Sequence, residues 1–326
     1  MFQSTDRRLS QSTEFPVSTT FGIAAPANIR VQGFAAPHPL TPPLDPAYRF
    51  RAALLSDVLR WHRGLSAGEH HDGLWLTGPM GSGKSSVIRQ VAARLNLPLI
   101  EVNAKARLEV ADLIGYRTVL GGDILFQDGP LTQALRVGAW LLLNEVDLMD
   151  PGELAGLNTV LDGGPLVMAE NGGEGVHPAP GFGLLCTANS AGHGDRSGLY
   201  AGVRRMNGAL LDRFWVVDVG YPTVDEEQAL LAQQFPSLPA PVREWMVAVA
   251  HEVRRLSTPE ETDAQALDLP FSTRALVRWA YLTLQFKGAP SPLHHALKRA
   301  LTARAEPETA EAIHQIVQRI TGESHA

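Results

Sequence analysis

The sequence predicts an α/β domain built on a parallel sheet, followed by a smaller, all-helical domain. Short apolar strands alternate with helical segments up to Pro222, and beyond it the strands stop and a 3.6-residue periodicity takes over. With 326 residues, the chain is long enough for about two domains with separate cores. We therefore assign residues 1–46 to an irregular N-terminal arm, 47–222 to the α/β domain and 223–326 to the helical domain.

The N-terminal arm lacks the regular periodicity of a helix or a strand. Seven prolines within the first fifty residues indicate an irregular segment. Phe15, Phe21 and Val31 are enough apolar anchors for part of this arm to lie across a folded surface, and a disordered tail is the alternative.

Five buried strands are predicted from short apolar runs, which are Leu74–Thr77, Leu99–Val102, Trp140–Leu143, Gly183–Thr187 and Trp215–Val219. Such strands, separated by helical segments, favour a parallel sheet that is covered on both faces. Between the third and fourth runs, glycine and proline clusters interrupt the pattern. A hairpin fits there, formed by Pro165–Met168 and a turn at Asn171–Gly173.

The helical domain is predicted from apolar residues that recur at helical spacing. Three stripes are present, with Trp245 and Val249 in the first, Leu276, Ala280 and Tyr281 in the second, and Ile313 and Val317 in the third. Ser272 or Thr273 is the expected N-cap of the second helix.

The strongest motif is a phosphate-binding loop between the first predicted strand and a helix. Glycines let the backbone approach phosphate oxygens closely beside a helix N-terminus. We expect Lys84 to neutralise the β- and γ-phosphates of ATP, and Ser85 to ligate Mg²⁺. The predicted nucleotide-binding residues are Gly78, Pro79, Met80, Gly81, Ser82, Gly83, Lys84, Ser85 and Ser86.

Polar residues at the ends of two other strands predict the hydrolysis machinery. Asn144 and Glu145 end an apolar strand in the form of a Walker B element, so Glu145 is the candidate general base. Asn144 contributes no negative charge, and we expect it to hold Mg²⁺ through a water molecule and less tightly than an aspartate would. Asn189 ends the next strand and is suited to orient the attacking water.

Two arginines are candidates for stabilising charge on the transferred phosphoryl group. Arg213 lies just ahead of the last predicted strand, where a neighbouring subunit could receive it as an arginine finger. Arg274 lies near the start of a helix in the second domain. For either arginine alone, a surface salt bridge is the alternative interpretation.

Composition narrows the classes of function further. The net charge of −6 provides no global basic field for binding nucleic acid or acidic membranes. The apolar runs are too short to span a bilayer, and the single Cys186 cannot form an internal disulfide, so we expect a cytoplasmic protein. The pairs His70–His71 and His294–His295 lack metal-ligand spacing and are predicted to be solvated.

These elements, in this order, resemble the AAA+ ATPases, and among them the MoxR-like branch that includes NorQ, CbbQ and CobS proteins. Besides the motifs above, the resemblance rests on Asp112–Gly115, Asp128–Leu131 and the run Thr187–Tyr200, which looks especially like CobS and NorQ. The first part of the chain, with Phe21–Ile23 and Asp45–Tyr48, also looks CobS-like.

The resemblance implies an AAA+ core with a helical lid, Walker A at Gly78–Ser85, Walker B at Asn144 and Glu145, sensor 1 at Asn189 and sensor 2 at Arg274, with Arg213 as the finger. It also implies a ring, usually of six subunits, and a partner with a von Willebrand A domain. Residues 165–180 would be an insert facing the pore or a partner. The family usually has aspartate where this chain has Asn144.

Three functions remain open from the sequence. The first is an ATPase that remodels or activates a partner protein, with slow turnover. The second is a CobS-type subunit of an ATP-dependent cobaltochelatase. The third is a nucleotide-gated assembly module with little hydrolysis, which the missing aspartate at position 144 would explain.

Overall fold

The computed structural model describes residues 11–194, 202–257, 267 and 269–323. These residues form two compact units. The first contains residues up to Gly78, then 83–194 and 202–219. The second contains the described residues from Gly220 onward, and residues 79–82 are grouped with it.

A five-stranded parallel sheet is the centre of the first unit. Its strands are β3 (Gly73–Thr77), β4 (Leu99–Asn103), β7 (Trp140–Asn144), β10 (Gly183–Ala188) and β11 (Phe214–Asp218). They lie in the order β11-β3-β10-β7-β4 and all neighbouring strands are parallel. All five predicted strands are confirmed.

Helices cover both faces of this sheet. Successive residues of each strand point to opposite faces and therefore pack against different helices. Leu142 packs on one face with Ile88, and Leu141 and Leu143 pack on the other with Leu131 and Leu135. A parallel sheet buried on both faces accounts for the continuous apolar runs in the sequence. The helices of the unit that follow the arm are α2 (Ala52–Ala67), α3 (Lys84–Arg94), α4 (Val110–Ile114), α5 (Pro130–Val137), α6 (Pro151–Leu154), α7 (Asn158–Leu161) and α8 (Gly208–Leu211).

The N-terminal arm is more regular than predicted. It contains β1 (Ser12–Pro16), α1 (Val17–Phe21) and β2 (Arg30–Phe34), and the two strands pair antiparallel. Val17, Phe21 and Val31 are buried in the same cluster as the apolar face of α3. The expectation of an irregular arm was therefore wrong for this stretch, since docking on the core gives the strands a surface to cover.

Two further hairpins project from the connections between sheet strands. The strand pairs are β5 (Gly115–Leu120) with β6 (Asp123–Asp128), and β8 (Leu166–Met168) with β9 (Glu174–Val176). The second pair confirms the hairpin predicted near Pro165. The first was not predicted, because Tyr116, Val119 and Ile124 are exposed, and the strands therefore lack the alternation of a half-buried sheet.

The second unit is helical. Its helices are α9 (Val224–Gln234), α10 (Ala240–Ser257), α11 (Thr273–Gln285), α12 (Pro292–Ala300) and α13 (Pro307–Thr321). The three predicted stripes lie on α10, α11 and α13 and contribute to one core. Ser272 caps α11 by accepting a hydrogen bond from the Ala275 amide. Tyr281 is 52% exposed, contrary to prediction, because Leu276, Trp279 and Ala280 mark the buried face of α11.

The expectation of solvated histidines was wrong for His294. This residue is buried on α12, where its Nδ1 atom lies 2.8 Å from Nδ1 of His314. The Nε2 atoms of the two rings lie 2.9 Å from the Glu323 carbonyl and 3.0 Å from the Thr302 hydroxyl. Because every ring nitrogen has a polar partner, the pair is compatible with burial.

No helix in the described ranges combines the length and the apolar character that crossing a membrane requires.

Candidate functional site

The phosphate-binding motif forms the turn between β3 and α3. Gly78, Gly81 and Gly83 have φ values of 139°, 75° and 99°, which residues with a side chain rarely adopt. A Cβ atom at Gly78 would also lie 2.4 Å from the Val219 carbonyl oxygen. The glycines are therefore required by the backbone path, and this path leads into the N-terminus of α3.

Lys84 is the first residue of α3 and is buried beneath this loop. Its Nζ atom donates hydrogen bonds to the Gly78 carbonyl at 2.6 Å and to Oδ1 of Asn189 at 3.4 Å. Burial lowers the pKa of Lys84 to about 8, although the carboxylates of Asp147, Glu145 and Asp218 act in the opposite direction. Because burial removes water from the ammonium group of Lys84, a bound anion would stabilise its charged form.

Ser85 and Asn144 face each other across the gap between α3 and the end of β7. The Ser85 hydroxyl donates a 2.5 Å hydrogen bond to Oδ1 of Asn144, which is buried. Thr187 donates a second, 3.3 Å bond to the same oxygen. The oxygen of the amide, rather than its nitrogen, thus faces the hydroxyl predicted to ligate Mg²⁺, and oxygen is the ligand that this ion prefers.

Glu145 follows Asn144 with its side chain exposed and its backbone in the left-handed region, at φ 57° and ψ 41°. This conformation costs a glutamate about 1–3 kcal/mol. The Glu145 amide donates to Thr187 Oγ1 at 3.2 Å, and its carbonyl accepts from the Leu148 amide at 3.0 Å. This backbone conformation turns the chain sharply after β7. The Glu145 carboxylate lies close enough to the phosphate-binding loop to act on the pKa of Lys84.

Asn189 is fixed from its backbone side by Asp147. Oδ2 of Asp147 accepts hydrogen bonds from the amides of Asn189 at 2.8 Å and Ser190 at 3.3 Å. Burial raises the pKa of Asp147, and these two amide bonds act in the opposite direction. The contact joins the segment after β7 to the end of β10, so that the Asn189 side chain lies next to Lys84.

Arg213 occupies the position ahead of β11 and is paired within its own unit. Its Nε and Nη2 atoms donate to the two oxygens of Asp162 at 2.7 and 3.0 Å, and Nη1 donates to the Ala209 carbonyl at 2.7 Å. The alternative reading of this residue, a surface salt bridge, is what the structure shows. A role as arginine finger stays a prediction and requires Arg213 to leave Asp162.

Two further predicted residues lie near the starts of helices, and their roles stay predictions. Ser86 is the third residue of α3 and is partly buried, and Arg274 is exposed near the start of α11 in the helical unit. The run that carries most of the resemblance to CobS and NorQ is described only up to Gly194, so Asp195–Tyr200 lie outside the described residues. No cluster of three or more His, Cys, Asp or Glu in the described ranges could hold a metal ion.

Three residues of the site were not predicted from the sequence in the roles that the structure gives them. Thr187 bonds both to Asn144 and to the Glu145 backbone, Asp147 fixes the Asn189 backbone, and Glu101 approaches Asn144 from β4. Thr187 and Asp147 belong to runs that the motifs already marked. No pattern in the sequence indicates the role of Glu101, because this role depends on β4 lying next to β7.

A loop between strand and helix, with polar residues at the ends of two neighbouring strands, defines a nucleotide-binding protein of the P-loop class. Two family models match successive parts of the chain. Residues 73–214 match the AAA domain of the dynein-related subfamily, and residues 227–320 match the C-terminal domain of CbbQ, NirQ and NorQ proteins. The two matches are consistent with a MoxR-type AAA+ ATPase of the CbbQ and CobS type.

Individual relatives agree with this family. The aerobic cobaltochelatase subunit CobS of a Sinorhizobium species is 29% identical over 273 residues, which are 82% of this chain and 80% of the relative. An uncharacterized protein of Staphylococcus haemolyticus is 29% identical over 72% of this chain and 84% of its own length. An uncharacterized protein of Staphylococcus epidermidis is 27% identical over the same shares of the two chains.

Proposed function

We propose that this chain hydrolyses ATP slowly, within a ring, and uses the cycle to remodel or activate a partner protein with a von Willebrand A domain. One observation carries the ATPase part: Lys84 and Ser85 of the loop lie in hydrogen-bonding contact with Asn189 and Asn144 at two strand ends. The partner rests on the family resemblance. We expect the protein to act in the cytoplasm, where its single, buried cysteine would stay reduced.

Each residue of the site has a separate task in this proposal. Lys84 binds the β- and γ-phosphates through its ammonium group. Asn189 orients the attacking water, and Glu145 accepts the proton that this water loses. The Glu145 side chain is exposed at the turn that its left-handed backbone makes after β7, so the carboxylate is accessible to water.

The side-chain atoms at the proposed metal position are oxygens, which are the donor atoms that Mg²⁺ prefers. Mg²⁺ would supply positive charge to the phosphate oxygens, and Ser85 Oγ and Asn144 Oδ1 would hold it, the latter through water. Two oxygen atoms already converge there at 2.5 Å. Because neither residue is charged, we expect Mg²⁺ to bind less tightly than in relatives with an aspartate, and turnover to be slow.

The ring is proposed from the two arginines and the family. Arg213 would reach the nucleotide of a neighbouring subunit, and Arg274 would approach the nucleotide from the lid. We expect six subunits. In the isolated chain Arg213 is bound to Asp162, so assembly would have to exchange this pair for a contact with phosphate.

Phosphate release by the purified chain tests the proposal. We expect slow, Mg²⁺-dependent release. The rate per subunit should rise with protein concentration, because neighbouring subunits complete each site. Replacement of Lys84 by alanine should abolish both release and binding. Binding without any release over a range of Mg²⁺ concentrations would instead favour the nucleotide-gated assembly module, for which Asn144 is the specific observation.

A second candidate function is that of a cobaltochelatase subunit, which the named relative favours. The two enzyme functions differ in their partner. A Glu145→Gln variant, expected to hold ATP without hydrolysis, should trap the assembled ring with its client. Recovery of a protein with a von Willebrand A domain would support remodelling, whereas recovery of a large chelatase subunit would support the second candidate.

A further inference from the structure

Asn144 belongs to a chain of four hydrogen-bonded side chains that links α3, β7 and β4. Ser85 on α3 donates to Oδ1 of Asn144 at 2.5 Å, and Nδ2 of Asn144 donates to Oε2 of Glu101 at 3.4 Å. Glu101 in turn accepts from Arg89, one turn after Ser85 on α3. This chain of side chains therefore begins and ends on the same face of one helix.

Glu101 is itself held in a fixed position. Nε of Arg89 lies 2.8 and 3.0 Å from its two oxygens, and Nη2 of Arg89 lies 2.7 Å from Oε2. This forked pairing fixes the plane of the carboxylate as well as its location. A carboxylate anchored in this way can only accept hydrogen bonds, so the group of Asn144 that faces it must be a donor.

The orientation of the Asn144 amide follows from these contacts. Its nitrogen faces two acceptors, Glu101 and the side-chain oxygen of Asn103, the latter at 3.3 Å. Since the amide is planar, its oxygen must then face the opposite side, where Ser85 and Thr187 lie. A flipped amide would direct an NH₂ group at the proposed metal position, and this group can neither ligate Mg²⁺ nor accept a hydrogen bond from a water bound to it.

The same geometry explains why asparagine suits position 144 in this chain. An aspartate there would direct a second carboxylate oxygen at Oε2 of Glu101, at the 3.4 Å distance of the present bond. Like charges at such a distance repel, and Arg89 offsets this only in part because it is already paired. A charged Glu101 therefore favours a neutral side chain at position 144.

We infer that Glu101 is a positioning residue, which holds the Asn144 amide with its oxygen toward Ser85 and the Mg²⁺ position. The inference rests on the proposed function. It also changes the expectation for Asn144→Asp: the added carboxylate should strengthen Mg²⁺ binding only when the charge of Glu101 has been removed.

A double-variant cycle tests the inference without measuring turnover. The quantity is the ratio of the dissociation constants of a non-hydrolysable ATP analogue in EDTA and in Mg²⁺, for the native chain, Glu101→Met, Asn144→Asp and the double variant. Glu101→Met alone should lower this ratio about tenfold, the value of one hydrogen bond to a charged group. In the Asn144→Asp background, the same change should raise the ratio by about tenfold.

Controls separate this effect from a loss of structure. Glu174→Met removes a partly buried glutamate that is paired with Arg136 at 2.7 Å, the same separation as between Glu101 and Arg89, and it should leave the ratio unchanged. If Glu101→Met does not fold, Glu101→Gln replaces it: its side-chain oxygen can still accept from Asn144, so the ratio should change little in the native background and rise in the Asn144→Asp background.

The outcomes distinguish the inference from the proposed function. An effect of Glu101→Met with the same sign in both backgrounds, or no effect in either, would overturn the positioning role and leave the ATPase proposal intact. A native chain that binds the analogue neither in EDTA nor in Mg²⁺ would overturn the proposed function and the inference together.

Discussion

The buried ammonium group of Lys84 makes nucleotide affinity depend on pH. Without nucleotide, burial lowers its pKa to about 8, whereas a bound triphosphate stabilises the charged form and raises the pKa again. Above pH 8, binding must therefore take up a proton. Because each further pH unit then weakens binding by about a factor of ten, we expect affinity at pH 9 to be about tenfold lower than at pH 7.

Isothermal titration calorimetry with the non-hydrolysable analogue measures both consequences. At pH 8, binding should take up about half a proton, which appears as a difference in heat between two buffers of different ionisation enthalpy. Lys84→Arg is the control, because arginine keeps its charge over this range and its affinity should stay flat. Constant affinity of the native chain from pH 7 to pH 9, without proton uptake, would refute the reasoning.

Three further predictions concern single side chains. Glu145→Gln should lower turnover by about a hundredfold or more while nucleotide binding persists, and equal turnover of the variant would exclude Glu145 as the base. Arg213→Ala should abolish most turnover, whereas Asp162→Ala should not, since it only frees Arg213; equal losses in both would assign the pair a structural role. Glu227→Gln, which breaks a buried pair with Arg254, should lower the unfolding free energy of the helical unit by about 3–5 kcal/mol in thermal or urea melts, and an unchanged melt would contradict this.

The sequence was sufficient to predict the parts of the fold whose signals are local. Lys84 and Ser85 follow a glycine-rich turn between an apolar strand and an amphipathic helix, and Asn144 and Asn189 end apolar runs. Strands buried on both faces and polar residues at strand ends leave distinct patterns in the sequence. For this reason the strands and the phosphate-binding loop could be located before the structure was known.

Features that depend on strand order could not be predicted in this way. Glu101 approaches Asn144 only because β4 is the neighbour of β7, where Asn103 and Asn144 are partners in the ladder. Nothing near Glu101 in the sequence states which strand will lie beside it. The hairpin containing Val119 was missed for a different reason, since its apolar side chains are exposed and serve no core.

Buried polar pairs were the other source of error. His294 looked like a solvated residue because its partners, His314, Thr302 and Glu323, follow later in the chain and come from other elements. The burial of an imidazole depends on whether partners meet both nitrogens, and only the packed helices bring them together.

The central claim is that the loop at Lys84 binds ATP and that the chain hydrolyses it. Equilibrium binding of ATP to the purified chain, followed over a series of Mg²⁺ concentrations together with phosphate release, tests this most directly. We expect binding that Mg²⁺ strengthens, with slow release that is lost on replacing Lys84 by alanine. A native chain that neither binds nor hydrolyses ATP at any Mg²⁺ concentration would contradict the claim.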